Sequence, residues 1–252
     1  MNLRGLAVVA VLLASALTPF LSSATASTTI TVLQLNLCHS GIADCYRGDA
    51  ALRRAVEVID AEHPRVLSVN EACAGDVDPL RAAMGPVAWR FVAAEHTDGT
   101  PVTCRDGQPF GNIVMLDASL AGGPAFAGTY TDQDDENEFR VWACLPAGVL
   151  TACTTHLSSH SGTIAAAQCR ELMSRVAGFA ARGPVVVAGD FNLRKQGEPN
   201  VQDCNRPGFY RKGDGEVQHV FATDNLTFAG GTRIGMSGST DHPGWLVTMT
   251  LS

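Results

Sequence analysis

The chain has 252 residues, of which 46% are hydrophobic and 17% are charged, and its formal net charge is −7. This composition is typical of a globular protein, and the length suits one large domain or two small ones. The acidic balance excludes a protein that binds polyanions through bulk positive charge.

The N-terminal segment has the pattern of a secretory signal peptide. Arg4 carries a positive charge, an apolar run follows over Leu6–Leu21, and the small-x-small triplet Ala24–Ala26 resembles a cleavage site. We therefore predict that residues 1–26 are removed, that residues 27–252 form one domain, and that the protein is secreted. A membrane span needs about 20 apolar residues, so the alternative of a retained anchor is disfavoured and we expect no stable membrane insertion.

All eight cysteines follow this segment. An even number of cysteines in an exported chain indicates disulfides, and the lack of any C-x-x-C pair argues against a zinc knuckle. Spacing suggests Cys38–Cys45 across one loop and Cys144–Cys153 across a hairpin. We assign the remaining four as Cys73–Cys104 and Cys169–Cys204, although sequence alone leaves the connectivity open.

The first half of the chain alternates strands with helices. Thr28–Leu37 is β-branched and alternating, which predicts a strand. Asp49–Pro64 has apolar residues at helical spacing, with Asp49 as a possible N-cap and Pro64 as a stop. The next predicted elements are a strand at Arg65–Ala72, a short helix near Asp78–Met84, a strand at Ala88–His96, a loop at Thr97–Gly111 and a strand at Asn112–Asp117.

The second half begins with an acidic loop at Thr131–Glu138, which precedes a predicted hairpin over Phe139–Leu157. The remaining predictions are a helix at Ser161–Gly183, a strand at Pro184–Asn192, a long polar loop at Leu193–Val217, a strand at Val217–Asn225, a glycine-rich loop at Ala229–Thr240 and a last strand at Gly244–Leu251. About nine or ten strands and two main helices in mixed order predict an α/β protein in which sheets pack on sheets.

Polar side chains interrupt several of the apolar strands near their ends. They are Asn36, Glu71, His156, Asp190 with Asn192, and Asp241 with His242. Each alone has an ordinary explanation, such as a turn, a solvated acid or a structural histidine. If the strand ends converge, the oxygen-rich set suits a hard cation such as magnesium, manganese or calcium, and the two histidines can act as general base and acid.

The order of these residues resembles the endonuclease/exonuclease/phosphatase superfamily, whose members have the deoxyribonuclease-I-like fold. The resemblance rests on an asparagine in the first strand, a glutamate, T-H-L at 155–157, G-D-F-N at 189–192 and T-D-H at 240–242, and it runs from about Thr29 to Leu251. It implies a four-layer α/β/β/α sandwich of two packed mixed sheets. One such site serves nucleases, sphingomyelinases and inositol phosphatases.

The resemblance also implies roles for individual residues. Asn36, Glu71 and Asp241 would hold the metal, most readily Mg²⁺, and Asp190 with Asn192 would position the attacking water and the phosphate. His242 would be the general base, while His156 would protonate the leaving group or stabilise the phosphorane. Arg140 matches a phosphate-contacting arginine, unless it is a surface residue of the hairpin, and Glu95 would orient His156.

One position departs from the superfamily pattern. The penultimate strand usually carries an aspartate that pairs with the catalytic base, and Gln218 stands at that place in V-Q-H-V. A glutamine can still accept a hydrogen bond, but it supplies no negative charge. If Gln218 contacts His242, Gln218→Asp should raise activity. Otherwise His242 uses another acid, or the protein is not an active enzyme.

A basic stretch follows the G-D-F-N motif. Arg194, Lys195, Arg211 and Lys212 lie near Phe209 and Tyr210, a combination that suits a nucleic-acid backbone and a stacked base. A charged surface loop is the alternative. We predict a monomeric, metal-dependent phosphodiesterase, foremost a nuclease. The alternatives are a sphingomyelinase-like phospholipase or phosphatase, and a non-catalytic binding protein of the same fold.

Overall fold

The computed structural model describes Met1, residues 28–146 and residues 148–251. The predicted signal peptide and its cleavage site lie outside the described residues. Within these described ranges, the three α-helices are α1 (Ala50–Glu62), α2 (Val77–Met84) and α3 (Gly162–Ala180). The strands are β1 (Thr28–Asn36), β2 (Val66–Cys73), β3 (Val87–Ala93), β4 (Phe110–Asp117), β5 (Phe126–Thr129), β6 (Val141–Leu145), β7 (Thr151–His156), β8 (Val185–Asp190), β9 (Phe209–Gly213), β10 (Gln218–Thr223), β11 (Leu226–Ile234) and β12 (Gly244–Leu251).

The strands form two six-stranded mixed sheets. One has the order β11-β12-β1-β2-β4-β3 and the other the order β5-β6-β7-β8-β10-β9. Each sheet contains one parallel pair, β1 with β2 and β7 with β8, and the other pairs are antiparallel. A helix connects the strands of each parallel pair, because parallel neighbours need a crossover. The carboxyl ends of four central strands therefore fall at equivalent positions in the two sheets.

Alternation along the strands separates the core into layers. Val32, Val114 and Val186 belong to a cluster between the two sheets. Residues on the other face of the first sheet, such as Leu33, pack with Ala55 and the other buried residues of α1 and α2. A third cluster joins the outer face of the second sheet to α3. The predicted four-layer α/β/β/α sandwich is confirmed.

The strand predictions that were wrong concern sheet edges. The polar segment Leu193–Val217 contains β9 and a short 3₁₀ turn at Val201–Cys204, and the glycine-rich segment begins inside β11. Strand β5 was not predicted at all. All three are edge strands, and their side chains are mostly not buried, so they lack the hydrophobic alternation that identifies a strand in a sequence. The structure therefore has more strands than the sequence predicted.

Four disulfides connect the two pairs that the spacing suggested and the two pairs assigned from the remaining cysteines. Cys144 and Cys153 lie directly opposite each other on β6 and β7. No free cysteine remains in the described part of the chain. The disulfides are consistent with an extracellular protein. Among the described helices, none combines the length and the apolar character that a membrane crossing requires.

The disulfides should be complete in protein produced under oxidising conditions and should differ in their contribution to stability. Thiol titration of the denatured, unreduced chain should find no free cysteine. The double variant Cys169→Ala/Cys204→Ala opens a loop with a sequence separation of 35, whereas Cys38→Ala/Cys45→Ala opens one of 7. Loop entropy predicts losses of about 3.8 and about 2.4 kcal/mol in the free energy of unfolding. Urea denaturation checks this order, and a smaller loss for the longer loop would contradict it.

Candidate active site

The candidate site lies at the carboxyl ends of the two parallel strand pairs. Asn36 ends β1 and Glu71 lies near the end of β2, while His156 and Asp190 end β7 and β8 and are paired in register. The two sheets pack face to face, so residues from both sheets meet at this end of the sandwich. Asp241 and His242 come from the loop before β12. Thr240 in that loop donates a hydrogen bond to the carbonyl oxygen of Asn36 (3.0 Å).

Glu71 stands where β2 leaves its regular geometry. The register between β2 and β4 shifts between Val69 and Ala72, and Glu71 has a φ of 54°, in the left-handed region. A bulge of this kind redirects a side chain that would otherwise follow the strand alternation. Asn192, just after β8, has a φ of 50°. Such conformations cost about 1–3 kcal/mol each in non-glycine residues, and they concentrate at functional sites.

An asparagine side chain joins the two central carboxylates. The Asn36 amide nitrogen donates to Glu71 Oε1 (2.8 Å) and to Asp190 Oδ2 (3.2 Å). Its amide oxygen accepts a hydrogen bond from the backbone N–H of Cys38 (3.0 Å). Asn36 thus presents a donor to the site, unlike the oxygen ligand that the sequence predicted. The atoms that remain as ligands for a cation are carboxylate oxygens.

The central carboxylates hold protons unusually well. The pKa of Glu71 is raised from its ordinary value near 4.5 to about 7, chiefly by burial and also by the nearby charges of Asp190 and Asp241, against the hydrogen bond from Asn36. Burial likewise raises the pKa of Asp190, opposed by the positive charge of His242 and by its hydrogen bonds. Crowded, poorly solvated carboxylates are stabilised by a bound cation.

Arg140, rather than Glu95, fixes the orientation of His156. An Nη1 atom of Arg140 lies 3.0 Å from His156 Nδ1. Arginine only donates, so Nδ1 accepts and the neutral ring carries its proton on Nε2, which faces Glu71 Oε1 at 3.9 Å. Burial and the Arg140 charge hold the pKa of His156 well below its ordinary value. The described contacts of Glu95 are backbone bridges to Pro101 and Phe139.

Arg140 is itself buried, and two further side chains contact its guanidinium. Its guanidinium forms an ion pair with Glu138 (3.0 Å) and donates to Ser159 Oγ (3.1 Å). Only 7% of the residue is exposed, so the alternative of a surface arginine is wrong. Its position beside His156 places a fixed positive charge in the site.

His242 lies beside two acids and not beside Gln218, as the alternative in the sequence analysis expected. Its Nε2 atom lies 3.5 Å from Asp190 Oδ2 and 3.7 Å from Asp241 Oδ2. The Gln218 amide nitrogen instead donates to Asp190 Oδ2 (2.8 Å), and its oxygen accepts from Gln34 (2.9 Å). Gln218 thus supports Asp190, and Asp190 is the acid nearest His242.

Sequence reasoning missed two residues that hold Asp190 in place. Asn70 accepts from the Asp190 backbone N–H (2.8 Å) and from Gln34 (2.7 Å), and it donates to Asn112 (2.9 Å). Gln34 and Asn70 are fully buried. A polar residue at a core position of a strand is the signal that could have found them, because such residues need buried partners.

The candidate site contains one cavity of about 440 Å³. The predicted site residues that line it are Glu71, Arg140, His156, Asp190, Asn192, Asp241 and His242. The Asn192 amide nitrogen donates to the carbonyl oxygen of Leu157 (2.9 Å). The rest of the lining is polar near Ser159 and apolar near Ile42 and Val102.

The basic residues predicted to bind substrate do not line this cavity. Arg194 pairs with Glu216, Arg211 donates to His219 Nδ1 (2.8 Å), and Lys212 lies 4.1 Å from the ring centre of Phe228. Lys195 is exposed. Three of the four therefore have intramolecular contacts, which supports the alternative of a charged surface segment.

The lining residues fit a divalent cation. They include four carboxylates, those of Glu71, Glu138, Asp190 and Asp241, against the single guanidinium of Arg140. Hard cations such as Mg²⁺ prefer oxygen ligands of this kind. The raised pKa of Glu71 indicates that negative charge at this point is uncompensated by the protein alone. Glu71 and Asp241 are the residues that would hold the ion.

Comparison with known proteins identifies the fold. No family model matches the sequence, and no curated protein matches it. Solved structures do match. An endonuclease/exonuclease/phosphatase from Beutenbergia cavernae DSM 12333 is 19% identical, covers 89% of this chain and 72% of its own, and has a TM-score of 0.66. The chain has the endonuclease/exonuclease/phosphatase fold.

Two other structures of this fold have similar coverage. The human Nocturnin catalytic domain, solved with a bound sulfate anion, is 16% identical over 89% of this chain and 94% of its own, with a TM-score of 0.70. ANGEL2, described as a 2',3'-cyclic phosphatase, is 14% identical over 89% and 96%, with a TM-score of 0.63. The resemblance inferred from the motifs is thereby confirmed at the level of the fold.

Without metal, stability should fall as the pH rises. Glu71 has a folded pKa of about 7 and an ordinary value near 4.5. The stabilisation from its protonated form is complete below pH 4.5 and is lost as the pH rises through 7. One pKa unit corresponds to about 1.4 kcal/mol, so the loss is about 3.5 kcal/mol at most. Urea denaturation in EDTA measures it, and Glu71→Gln should flatten the dependence. Glu57→Gln, an exposed change, is the control and should retain it.

Gln218→Asp should impair the site rather than improve it. The new carboxylate would lie beside Asp190, which is 1% exposed, and would replace a hydrogen-bond donor by a like charge. We expect a loss of about 3 kcal/mol in the free energy of unfolding at neutral pH, partly recovered at pH 4. Gln202→Asp makes the same charge change on the surface and should cost little. Thermal denaturation at both pH values checks this, and unchanged stability would show that Gln218 does not support Asp190.

Proposed function

We propose that this chain is a secreted, divalent-metal-dependent phosphodiesterase and that nucleic acid is its substrate. The observation that carries the proposal is the convergence of carboxylates from both sheets, two histidines and a buried arginine on one cavity. Phosphodiester hydrolysis needs a positive site for the phosphate, a base for the attacking water and donors for the developing charge. The lining residues offer each of these.

In the proposed reaction, His242 carries its ring proton on Nε2, which faces the Asp190 carboxylate, and accepts a proton from the attacking water through Nδ1. Asp190, 3.5 Å away, orients the ring and stabilises its protonated form. Asp190 is in turn held by Gln218 and Asn36. Glu71 and Asp241 would hold a divalent cation, which would supply positive charge to attract and polarise the phosphate.

His156 and Arg140 stabilise the negative charge on the phosphate. Arg140 offers a buried guanidinium to the phosphate oxygens. His156 is neutral and bears its proton on Nε2, so it donates a hydrogen bond to the charge that develops in the transition state. A neutral imidazole releases this proton much less readily than an imidazolium. Of the two roles expected for His156, stabilisation of the phosphorane is therefore favoured over protonation of the leaving group.

Two alternatives differ in the features that they require. A sphingomyelinase-like phospholipase needs an apolar surface at the cavity mouth, and Ile42 supplies one exposed apolar side chain there. The alternative of a non-catalytic binding protein would be favoured if His242 had no acidic partner. The contact between Asp190 and His242 argues against it, because it supplies the acidic partner that Gln218 cannot.

An activity assay tests the proposal directly. Purified mature protein should hydrolyse bis-p-nitrophenyl phosphate and plasmid DNA or RNA with magnesium or manganese, and activity should disappear in EDTA. His242→Ala should lower kcat by about 10²- to 10⁴-fold, since it removes the base. The control is His160→Ala, an exposed histidine that pairs with Glu136. Full activity in EDTA, or in His242→Ala, would rule out this mechanism.

A substrate panel separates the nuclease from its alternatives. The same preparations should be offered sphingomyelin vesicles and a 2',3'-cyclic mononucleotide, the class of substrate that the ANGEL2 description suggests. Hydrolysis of sphingomyelin without nucleic acid would favour the phospholipase. Metal-dependent binding of nucleic acid without hydrolysis of any substrate would favour the binding protein.

A further inference from the structure

Part of the cavity lining is apolar. Ile42, Ala43, Val102 and Phe110, here called the apolar wall, line the same cavity as His156 and His242. Ile42 is 68% exposed, more than any other large hydrophobic side chain described between residues 28 and 251. Isolated exposed apolar residues are common on proteins. Ile42 differs from them because it borders the candidate active site.

The apolar wall is held by two covalently closed loops. Cys38–Cys45 closes the loop that carries Ile42 and Ala43, and Cys73–Cys104 anchors the loop that carries Val102. The loops are joined by a hydrogen bond from the Arg105 backbone N–H to the Ser40 carbonyl oxygen (2.8 Å). Two disulfides beside one another restrict the motion of the wall relative to the catalytic residues.

The turn before Ile42 is sterically constrained. Gly41 has a φ of 78°, and a Cβ atom at this position would lie 2.8 Å from Arg105 Cβ. Only glycine fits both conditions. The Ile42 backbone N–H donates to Ser40 Oγ (3.2 Å), which fixes the next residue of the turn. The local geometry therefore presents Ile42 to solvent at the cavity, rather than leaving it in a mobile loop.

The charges around the cavity disfavour a long run of backbone phosphates. Arg140 is the one guanidinium among the lining residues, and the lining contains no lysine. The acidic segment Thr131–Glu138 is adjacent, because Asp134 accepts a hydrogen bond from Ser158 and Glu138 lines the cavity. Binding of nucleic acid normally depends on cationic contacts with several phosphates. Here the affinity must come largely from another part of the nucleotide.

We propose that the apolar wall binds the base of an unpaired nucleotide next to the scissile phosphate, so that the enzyme acts on single strands in preference to duplex. This inference rests on the proposed function. A paired base is stacked within the helix and offers no free face, whereas the free face of an unpaired base can bury an exposed apolar side chain such as Ile42. The cavity of about 440 Å³ is near the lower end of small-ligand pockets, which suits one nucleotide.

Kinetics on matched substrates test the wall. With a single-stranded oligonucleotide, its duplex, and the same strand carrying abasic positions, the wild-type kcat/KM should be at least about tenfold higher for the unmodified single strand. Ile42→Ser should lower this value by about fivefold or more, mainly through KM, and should leave the abasic strand unaffected. The control, Val149→Ser, changes an exposed apolar residue that lines a different cavity and should have no effect.

Binding gives a readout that does not need turnover. Fluorescence anisotropy of a labelled single strand in Ca²⁺ should show weaker binding to Ile42→Ser, and log Kd should change with log salt by a slope of about 0.7, as for one phosphate contact. Preference for duplex, or equal affinity and kinetics for Ile42→Ser and wild type, would overturn the inference while the phosphodiesterase stands. Lack of hydrolysis of bis-p-nitrophenyl phosphate with any metal would instead count against the proposed function, and the anisotropy would still decide the role of the wall.

Discussion

A chain of buried side-chain amides connects the two sheets, and the candidate site depends on it. Gln34 of β1 donates to Gln218 of β10 and to Asn70 of β2, and both of these partners hold Asp190 of β8. A buried polar group without a partner costs about 1–3 kcal/mol, so each member constrains the next. The network fixes how one sheet lies on the other at this end. It also determines where the Asp190 carboxylate lies relative to His242.

This rigidity explains how the strained residues persist. Glu71 and Asn192 adopt left-handed backbone conformations that cost free energy, and both adjoin the network. Asn70 precedes Glu71 and is anchored to β4 and β7 through Asn112 and the carbonyl oxygen of Thr155. Asn192 is anchored to the carbonyl oxygen of Leu157. The surrounding contacts thus over-determine the backbone, as strained functional positions require.

The fold and most of the predicted residues that line the cavity could be predicted from the sequence. The hydrogen-bond partners of these residues could not. Strand-end acids and histidines interrupt hydrophobic runs, so Glu71, Asp190 and His242 could be identified without a structure. Edge strands such as β9 lack that contrast and were read as loops. Partners were harder, because Gln218 was assigned to His242 by analogy with the superfamily. The sequence pattern does not show whether Gln218 contacts His242 or Asp190, because that depends on the packing of side chains across the two sheets.

Charge balance gives the departure at Gln218 a physical reason. The cavity already holds four carboxylates against one guanidinium, and burial together with the neighbouring acids has raised the pKa of Glu71 to about 7. Another carboxylate beside Asp190 would add to this repulsion. An amide at position 218 instead donates to Asp190 and accepts from Gln34, which satisfies both neighbours without charge. Asp190 is then free of a competing acid and remains the partner of His242. The acidic group beside His242 is therefore on β8 rather than on β10, the strand that carries position 218.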